Sequence, residues 1–447
     1  MTTPDLTRTE FDRAVGEPAS PREARLARAA AILRWGAVAN AALDGLVLLL
    51  ALLGALKLIP DLFPALRAAL LAGVPAADDA GVAAVVLLIQ INVSLLLALM
   101  VGVQARELWA LGGVWALALV NGLALALLGF TPALAAIVPA VWAGAVAGRD
   151  PRAFRANPVM LKELRGRMRG VRAFFVLSVY LGLMSGFTAL LYLVYTPVTL
   201  ATGSAAAGEV GRVLFMGVVG VELLLIIFIA PAFTAGAITG ERERLTYDLL
   251  RTTLLSVPSF VIGKLESALS YILLLLLAAI PLQSIAFLFG GVSEYELALA
   301  FVILAVTAIA LGTVGLYFSA VTPRTLTASV RSYSAVLVGA FIAPLALTLV
   351  LGILRAAVGL SSPGAEAVLA YAGDLLTSLN PVATALSTQQ LLIDRQVAGF
   401  WTDTLASDGS TIPRVSPWIT FTIIYLVLSA ILVVLAVRRM RQAENEV

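Results

Sequence analysis

The sequence contains no cysteine and no histidine. Without cysteine the chain forms no disulfide and offers no thiolate nucleophile, and without histidine it lacks the commonest general base at neutral pH. Zinc and most other transition metals are bound through the same two residue types. An enzyme that uses only carboxylates is the catalytic class left open. We predict no catalytic, cofactor-binding or metal-ligating residues in this chain.

Charged residues are also scarce. They make up 13% of the chain, whereas soluble globular proteins have about 25%. Hydrophobic residues make up 60%, and the mean hydropathy is +0.99. So little polar surface cannot cover so many apolar side chains in water, so the lipid bilayer must solvate most of the protein. The composition predicts an all-α, polytopic bundle of transmembrane helices.

A phosphate-binding loop of the form Gly-x-x-x-x-Gly-Lys-Ser/Thr is absent as well. The Gly-Lys pair at Gly263 and Lys264 lacks both the upstream glycine and the following Ser or Thr. We therefore do not expect this chain to hydrolyse ATP itself.

Ten apolar stretches approach the length that crosses the hydrocarbon layer, about 20 residues at a rise of about 1.5 Å each. The fourth stretch is short and contains Pro139. The predicted spans are Ile32–Leu56, Gly81–Val103, Leu108–Leu128, Pro132–Ala147, Phe174–Tyr195, Val213–Ile238, Ala268–Leu288, Leu297–Val321, Ala335–Leu354 and Trp418–Val437.

The distribution of Lys and Arg predicts the orientation. With a cytoplasmic N-terminus, all but six of the 30 basic residues lie on the cytoplasmic side of these spans, as the positive-inside rule requires. We therefore expect both termini in the cytoplasm. Abundant Ala, Leu and Arg are typical of GC-rich bacterial genomes, so we predict a multi-pass protein of the bacterial cytoplasmic (inner) membrane.

The spans divide into two groups. We predict a cytoplasmic tail at residues 1–31, an accessory four-span region at 32–148 and a six-span unit at 149–447. No internal repeat or flexible linker is evident between the two membrane regions. The long extracytoplasmic loop at 355–417 is expected to carry two short amphipathic helices, Ala365–Leu379 and Val382–Leu392.

The segment from Asn157 to Gly170 has the pattern of a helix lying in the membrane surface. Asn157 suits the N-cap and Pro158 the first turn. Apolar residues gather on one arc, and basic residues lie beside it, near the lipid head groups. The alternative is a plain positive-inside anchor. The residues assigned to this interfacial helix are Asn157, Pro158, Lys162, Glu163, Arg165 and Arg169.

The loop from residue 240 to 264, between the sixth and seventh predicted spans, begins with alternating charges. On a helix, Arg244 and Asp248 would pair four residues apart, and Leu245 and Leu249 would form a short apolar stripe. Such a helix at the end of two spans is a lever that a partner protein can grip, although an ordinary solvated loop is equally compatible. The residues assigned to this coupling segment are Gly240, Glu241, Arg242, Glu243, Arg244, Asp248, Leu249 and Arg251.

Two carboxylates fall within predicted spans. Asp44 lies in the first span and Glu222 in the sixth. A charge in a span costs a few kcal/mol, so each needs a reason. Glu222 is a candidate for lining a translocation path; the alternative for both residues is a protonated or hydrogen-bonded structural group.

Three stretches resemble motifs of a known family. Asn157–Gly170 reads NPVMLKELRGRMRG, Ala230–Ser256 reads APAFTAGAITGERERLTYDLLRTTLLS, and Gly263–Leu269 reads GKLESAL. They resemble phrases found in the permeases of ATP-binding cassette (ABC) exporters of the second, six-span type. The resemblance covers about residues 150–447. Leu245 stands where the family usually has Gly, Tyr247 where it has Leu and Leu254 where it has Pro.

The resemblance implies a partner-dependent transporter. Two permease chains, identical or related, would pair in the membrane. An ABC ATPase subunit carrying ATP and Mg would grip each chain through Glu241–Thr253 and the Asn157–Gly170 helix. ATP binding would then shift the permeases between inward-facing and outward-facing states. Membrane lipids are expected contacts, and nucleic acid is not.

Two other classes of function remain open. One is a secondary transporter driven by an ion gradient, although matching halves and broken helices are lacking. The other is a membrane scaffold that does not transport. An ATPase encoded beside this gene would favour the exporter.

Overall fold

A computed structural model describes residues 21–55, 80–151, 154, 157–168, 171–199, 205–247, 256–358, 363–397, 399–407 and 409–445. Helices make up most of these residues, and a single two-stranded hairpin is the only sheet in the described ranges. The predicted all-α, polytopic fold class is confirmed.

The N-terminal membrane region consists of four helices. They are α1 (Pro21–Ala55), α2 (Ala80–Ala105), α3 (Leu108–Leu128) and α4 (Leu134–Ala147), with a short 3-10 turn at Thr131–Ala133 before α4.

Polar and small residues hold these four helices together. The side chains of Asn92 on α2 and Asn121 on α3 exchange two hydrogen bonds of 2.8 Å. Interhelical amide pairs of this kind stabilise membrane bundles because lipid offers no competing partner. Gly36 lets α1 approach α4 closely, since a Cβ atom at this position would lie 2.6 Å from the Pro139 side chain.

Helix α1 begins earlier than the predicted span. It starts at Pro21, so residues 21–31 of the predicted tail are helical, and Leu26 and Ala29 are buried. Arg25 forms a 2.7 Å ion pair with Asp150, just after α4. Residues 1–20 lie outside the described residues.

The C-terminal region contains the remaining elements. They are α5 (Pro158–Met168), α6 (Val171–Thr199), α7 (Ala205–Ala235), α8 (Thr239–Glu243), α9 (Val257–Leu288), α10 (Glu294–Val321), α11 (Thr325–Val336), a π-helical turn (Leu337–Ile342), α12 (Ala343–Val358), α13 (Pro363–Leu379), α14 (Pro381–Arg395), β1 (Phe400–Thr404), β2 (Thr411–Val415) and α15 (Pro417–Asn445).

Among the described residues, eight helical segments are long and apolar enough to cross a membrane. They account for eight of the ten predicted spans. The second predicted span lies within α2 (Ala80–Ala105), and the fourth corresponds to a shorter apolar helix, Thr131–Ala147. The chain is therefore a multi-pass membrane protein.

One hydrophobic cluster joins the two regions. It contains Leu33 and Val114 from the first four helices together with Val261 on α9 and Val433 on α15. The accessory helices therefore pack directly on the six-span unit, on the side formed by α9 and α15.

The long loop between α12 and α15 forms a small folded module. Both predicted amphipathic helices are present, as α13 and α14. The sequence did not predict the hairpin that follows them, in which Trp401 on β1 lies opposite Arg414 on β2. Arg414 forms ion pairs with Asp374 on α13 and, at 2.6 Å, with Asp403 on β1.

The same arginine affects an acidic neighbour. Burial alone would raise the pKa of Asp403, but hydrogen bonds from Arg414 and Arg395 outweigh burial and hold the pKa below its ordinary value. The module is thus fastened by charge pairs that connect a helix to both strands.

Candidate functional site

The N-terminus of α5 is fixed by a side-chain cap. The Oδ1 atom of Asn157 accepts hydrogen bonds from the backbone N–H groups of Val159 at 2.9 Å and Met160 at 3.4 Å. Pro158 occupies the first helical position, where its missing N–H costs nothing. The predicted helix is therefore present, and the structure describes it from Pro158 to Met168.

Helix α9 extends toward the N-terminus beyond the apolar span predicted at Ala268–Leu288. Its N-cap is Ser256, which accepts a hydrogen bond from the Ser259 N–H, and Pro258 follows in the first turn. The last part of the predicted loop of residues 240–264, residues 257–264, is therefore the start of α9. This places Lys264 on the helix, two turns from its start.

Lys264 connects three elements. Its Nζ atom lies 2.6 Å from Glu163 Oε1 on α5 and 2.7 Å from Glu241 Oε1 on α8. The lysine side chain is 5% exposed, whereas the glutamate side chains are 22% and 19% exposed. We call these three residues the Lys264 cluster. A buried ammonium is tolerated only when it is paired, so the cluster holds α5 and α8 against α9.

The segment after α7 is tied to α10. The Ser319 hydroxyl oxygen accepts hydrogen bonds from the N–H groups of Ile238 at 2.9 Å and Thr239 at 3.1 Å. The Arg242 guanidinium donates to the carbonyl oxygens of Thr322 at 3.0 Å and Ala320 at 3.1 Å. Charge-assisted bonds to these last α10 carbonyls also suit the negative end of the helix dipole.

Glu243 makes a similar contact with α11. Its carboxylate accepts hydrogen bonds from the Thr325 backbone N–H at 2.7 Å and from the Thr325 hydroxyl at 2.9 Å. A carboxylate at a helix N-terminus satisfies a free N–H and interacts favourably with the dipole. Segment 239–243 therefore touches α9, α10 and α11.

The predicted coupling helix is interrupted after five residues. Helix α8 ends at Glu243, and Leu245 has a φ of 56°, in the left-handed region that an α-helix cannot continue through. Thr246 then turns back, and its hydroxyl donates to the Glu241 carboxylate. Arg244 and Leu245 themselves lie in this turn and not in a helix, whereas their expected helical partners, Asp248 and Leu249, lie outside the described residues.

Leu245 adopts a backbone conformation that favours glycine. Gly takes a positive φ without steric cost, because it has no Cβ atom. Here a leucine occupies the same type of position, with 78% of its side chain exposed at the tip of the turn. Sequence reasoning noted the leucine but not the turn.

Hydrogen bonds of Asn157 and Trp109 connect the first four helices to this site. Asn157 Nδ2 donates to Glu107 Oε1, just before α3, at 2.6 Å and to the Ser259 carbonyl on α9 at 2.7 Å. The Trp109 indole N–H donates to Glu266 Oε1 at 2.8 Å. Gly263 makes room for this arrangement, since a Cβ atom there would lie 2.5 Å from Asn157 Oδ1.

Burial at this contact changes the ionisation of Glu107. Burial, and then the nearby charge of Glu266, raise the pKa of Glu107 to about 7, although hydrogen bonds from Asn157 and Ser259 oppose the rise. Glu107 therefore titrates near neutral pH, directly beside the cap of α5.

Some of the predicted site residues lie close to one another in the structure. Glu163 and Glu241 meet at Lys264, and Asn157, Arg242 and Glu243 reach neighbouring elements as described above. Gly240 lies within α8 and Arg244 ends it. Exposed positions near this junction are Pro158, Lys162, Arg165, Glu243 and Arg244. The predicted residues that lie outside the described residues are Arg169, Asp248, Leu249 and Arg251.

Glu222 lies elsewhere, inside the six-span unit. It is on α7, 1% exposed, and its Oε2 atom accepts a 2.6 Å hydrogen bond from Gln283 Nε2 on α9. Asp44, the other intramembrane carboxylate, is buried on α1. Glu222 therefore faces its own helix bundle.

Sequence reasoning missed Lys264 and Glu107 as site residues. The motifs contained Lys264, in the Gly-Lys pair and in GKLESAL, but gave it no role at the site, and none of them contained Glu107. A usable signal was the rarity of lysine, since most basic residues of this chain are arginine. A lysine in an apolar stretch needs carboxylate partners, and both motif segments contain glutamate.

The contacts of this site connect several helices with one another. In the described part of the chain, no group of three or more acidic side chains is placed to hold a metal ion. The Lys264 cluster and its neighbours instead tie α5, α8, α9, α10 and α11 into one unit, with residues 243–245 exposed at its tip. No protein-family model and no curated protein matches the sequence.

Proposed function

We propose that this chain is the permease subunit of an ABC exporter of the six-span type. The observation that carries the proposal is the Lys264 cluster. It joins the two segments that the motifs single out, the helix after Asn157 and the turn after Gly240, to the same membrane helix. A load applied to either segment would then reach α9 directly.

The exposed tip of the turn supports a docking role. Glu243, Arg244 and Leu245 are exposed, while Glu241 is held by α9, Arg242 by α10 and the carboxylate of Glu243 by α11. The basic residues concentrated at this end favour the cytosolic side. A surface that is exposed but rigidly anchored is what an ATPase subunit needs to move membrane helices.

The proposed cycle follows from these contacts. ATP and Mg bind to the partner ATPase, whose closure pulls on residues 243–245. Because Glu241 is held by Lys264 and Glu243 by Thr325, the displacement passes to α9 and α11 together. The two states of the bundle are then biased by ATP binding and reset by hydrolysis.

Two apolar helical segments have surfaces that the rest of the chain leaves largely uncovered. Only 17% of the residues in the apolar windows of Phe174–Tyr195 and Thr325–Leu354 are buried, against 56% for Glu294–Val321. The first two helices therefore present apolar faces that lipid or a second permease, identical or related, would cover.

Co-purification tests the proposal. The full chain is isolated from its native membrane in mild detergent, co-purifying proteins are identified, and ATPase activity is measured. We expect a partner with a phosphate-binding ATPase loop. The variant Arg244→Glu/Leu245→Glu should lose that partner and the ATPase activity.

The matched control is Gln390→Glu, an exposed position on α14. Helix α14 contacts the first turn of α10 through Gln389 and Glu296, whereas the Arg242 contacts lie at the last turn of α10. The control should retain the partner. A preparation that contains this chain alone, or a tip variant that binds the ATPase as well as the control does, contradicts the proposal.

A further inference from the structure

Glu222 is a buried carboxylate that is only half satisfied. It lies in the middle of α7, and its Oε2 atom accepts the hydrogen bond from Gln283. Its Oε1 atom is buried and has no hydrogen-bond partner. The Oε1 atom of Gln283, which is itself 1% exposed, is also buried without a partner. Two acceptor oxygens on neighbouring helices thus lack a donor.

A small cavity lies beside Glu222. Tyr180 on α6, Glu222 on α7 and Ile272 on α9 line it, together with further Leu and Ile side chains. Its free space matches one water-sized species. A drug-sized ligand needs several hundred Å³, so the cavity does not hold the body of a transported molecule.

The surroundings supply no positive charge. None of the ion pairs found among the described residues involves Glu222. Tyr180 is the titratable side chain that faces Glu222 from α6, and the neutral Gln283 on α9 donates the hydrogen bond to it. Helices α10 and α11 meet this part of α7 with apolar residues such as Leu304 and Val336.

An ionised carboxylate in such surroundings is strongly disfavoured unless a positive charge accompanies it. One amide donor does not replace the water that burial removes. We propose that Glu222 and Gln283 form a binding site for one monovalent cation, a proton or a sodium ion. A proton adds to Glu222 Oε1 and gives the neutral acid; a sodium ion contacts Glu222 Oε1 and leaves the carboxylate ionised.

The proposed cation site lies on α7, the helix that leads to the proposed docking tip. Helix α7 leads within a few residues into α8, which carries Glu241 of the Lys264 cluster. Occupancy of the site therefore changes the charge on the membrane helix that leads to the proposed docking tip. The inference does not depend on the ATPase partner, because a cation site is a property of the isolated chain.

Infrared difference spectroscopy of the purified full chain in lipid nanodiscs tests the proposal. The samples are titrated from alkaline to acidic pH without sodium, and sodium chloride is then added at alkaline pH, with choline chloride as the matched salt. For a proton, we expect the carbonyl band of a buried carboxylic acid to appear as the pH falls. For sodium, we expect the carboxylate bands to shift with sodium and not with choline.

The response is assigned with two variants. Glu222→Gln should abolish it, and Glu294→Gln, at an exposed carboxylate before α10, should leave it unchanged. If Glu222→Gln does not fold, Gln283→Met provides the second test. It keeps the carboxylate but removes the donor, so the acid band should persist to more alkaline pH and the sodium response should weaken.

Two results overturn the proposal. One is an acid band that stays constant across the whole titration, which identifies Glu222 as a permanently neutral structural group. The other is a spectrum that responds neither to pH nor to sodium.

Discussion

The carboxylate of Glu107 accepts a 2.6 Å hydrogen bond from the side-chain amide of Asn157, and both residues are almost completely buried. Asn157 uses its other amide atom to cap α5. One side chain thus joins the accessory helices, the predicted interfacial helix and, through Ser259, helix α9. The four N-terminal helices therefore reach the junction at which we expect an ATPase to act.

The sequence repeats this cap at a second place, which provides a matched control. Asn157-Pro158-Val159 starts α5, and Asn380-Pro381-Val382 starts α14, where Asn380 Oδ1 accepts from Val382 N at 2.9 Å. Loss of an N-cap costs about 1 kcal/mol. Asn157→Ala also leaves Glu107 without its amide donor, which adds roughly 1–3 kcal/mol.

We therefore expect Asn157→Ala to lower the thermal stability of the detergent-solubilised chain more than Asn380→Ala does. Circular dichroism during heating measures both variants. Equal losses in the two variants would show that the bond to Glu107 contributes nothing beyond the cap.

The pKa of Glu107 predicts a pH dependence. Because its pKa in the folded protein, about 7, lies above the ordinary value of 4.5, the folded state binds this proton more tightly than the unfolded state does. Its contribution to stability is fully present below about pH 4.5 and is lost as the pH rises through about 7.

The variant Glu107→Gln should remove this pH dependence, since glutamine keeps an acceptor oxygen for Asn157 but does not titrate. The midpoint of thermal unfolding, measured as a function of pH in wild type and variant, checks the prediction. Parallel curves for the two proteins between mildly acidic and neutral pH would contradict it.

Replacement of Lys264 should leave two carboxylates without their partner. Breaking a fully buried pair costs about 3–5 kcal/mol. Because Glu163 and Glu241 are 22% and 19% exposed and keep some water, we expect roughly 2–3 kcal/mol for Lys264→Met. The free energy of unfolding in detergent is the measured quantity.

A triple variant separates charge from packing. Adding Glu163→Gln and Glu241→Gln to Lys264→Met removes the unpaired charges and should restore most of the lost stability, because neutral residues need no ammonium partner. No recovery in the triple variant would mean that the lysine acts through its aliphatic stem, which lies near the Phe260 ring.

Leu245 should be replaceable with a gain in stability. A non-glycine residue in the left-handed region costs roughly 1–2 kcal/mol, so Leu245→Gly should stabilise the chain by up to about 1 kcal/mol. Leu326, which is equally exposed at the start of α11 but helical, is the control, and Leu326→Gly should destabilise by about 1 kcal/mol or less. Two losses of similar size would contradict the backbone argument.

The sequence by itself determined that the lipid bilayer surrounds most of this protein, and it determined most of the helices. Scarce charge and long apolar runs leave no arrangement except membrane helices, because backbone groups in lipid must bond within their own helix. The Asn-Pro pair before α5 likewise predicted the start of that helix, because a cap is a local interaction between a side chain and the next few N–H groups.

Only the tertiary structure decided which polar residues meet. Lys264 lies 23 residues after Glu241 and 101 after Glu163, and Glu107 lies 50 residues before Asn157. Local pattern carries no information at such separations. For the same reason the sequence did not predict the hairpin at Trp401, whose strands Arg414 connects to α13. It also did not predict the left-handed turn at Leu245, where the anchored preceding helix imposes a backbone conformation that leucine disfavours.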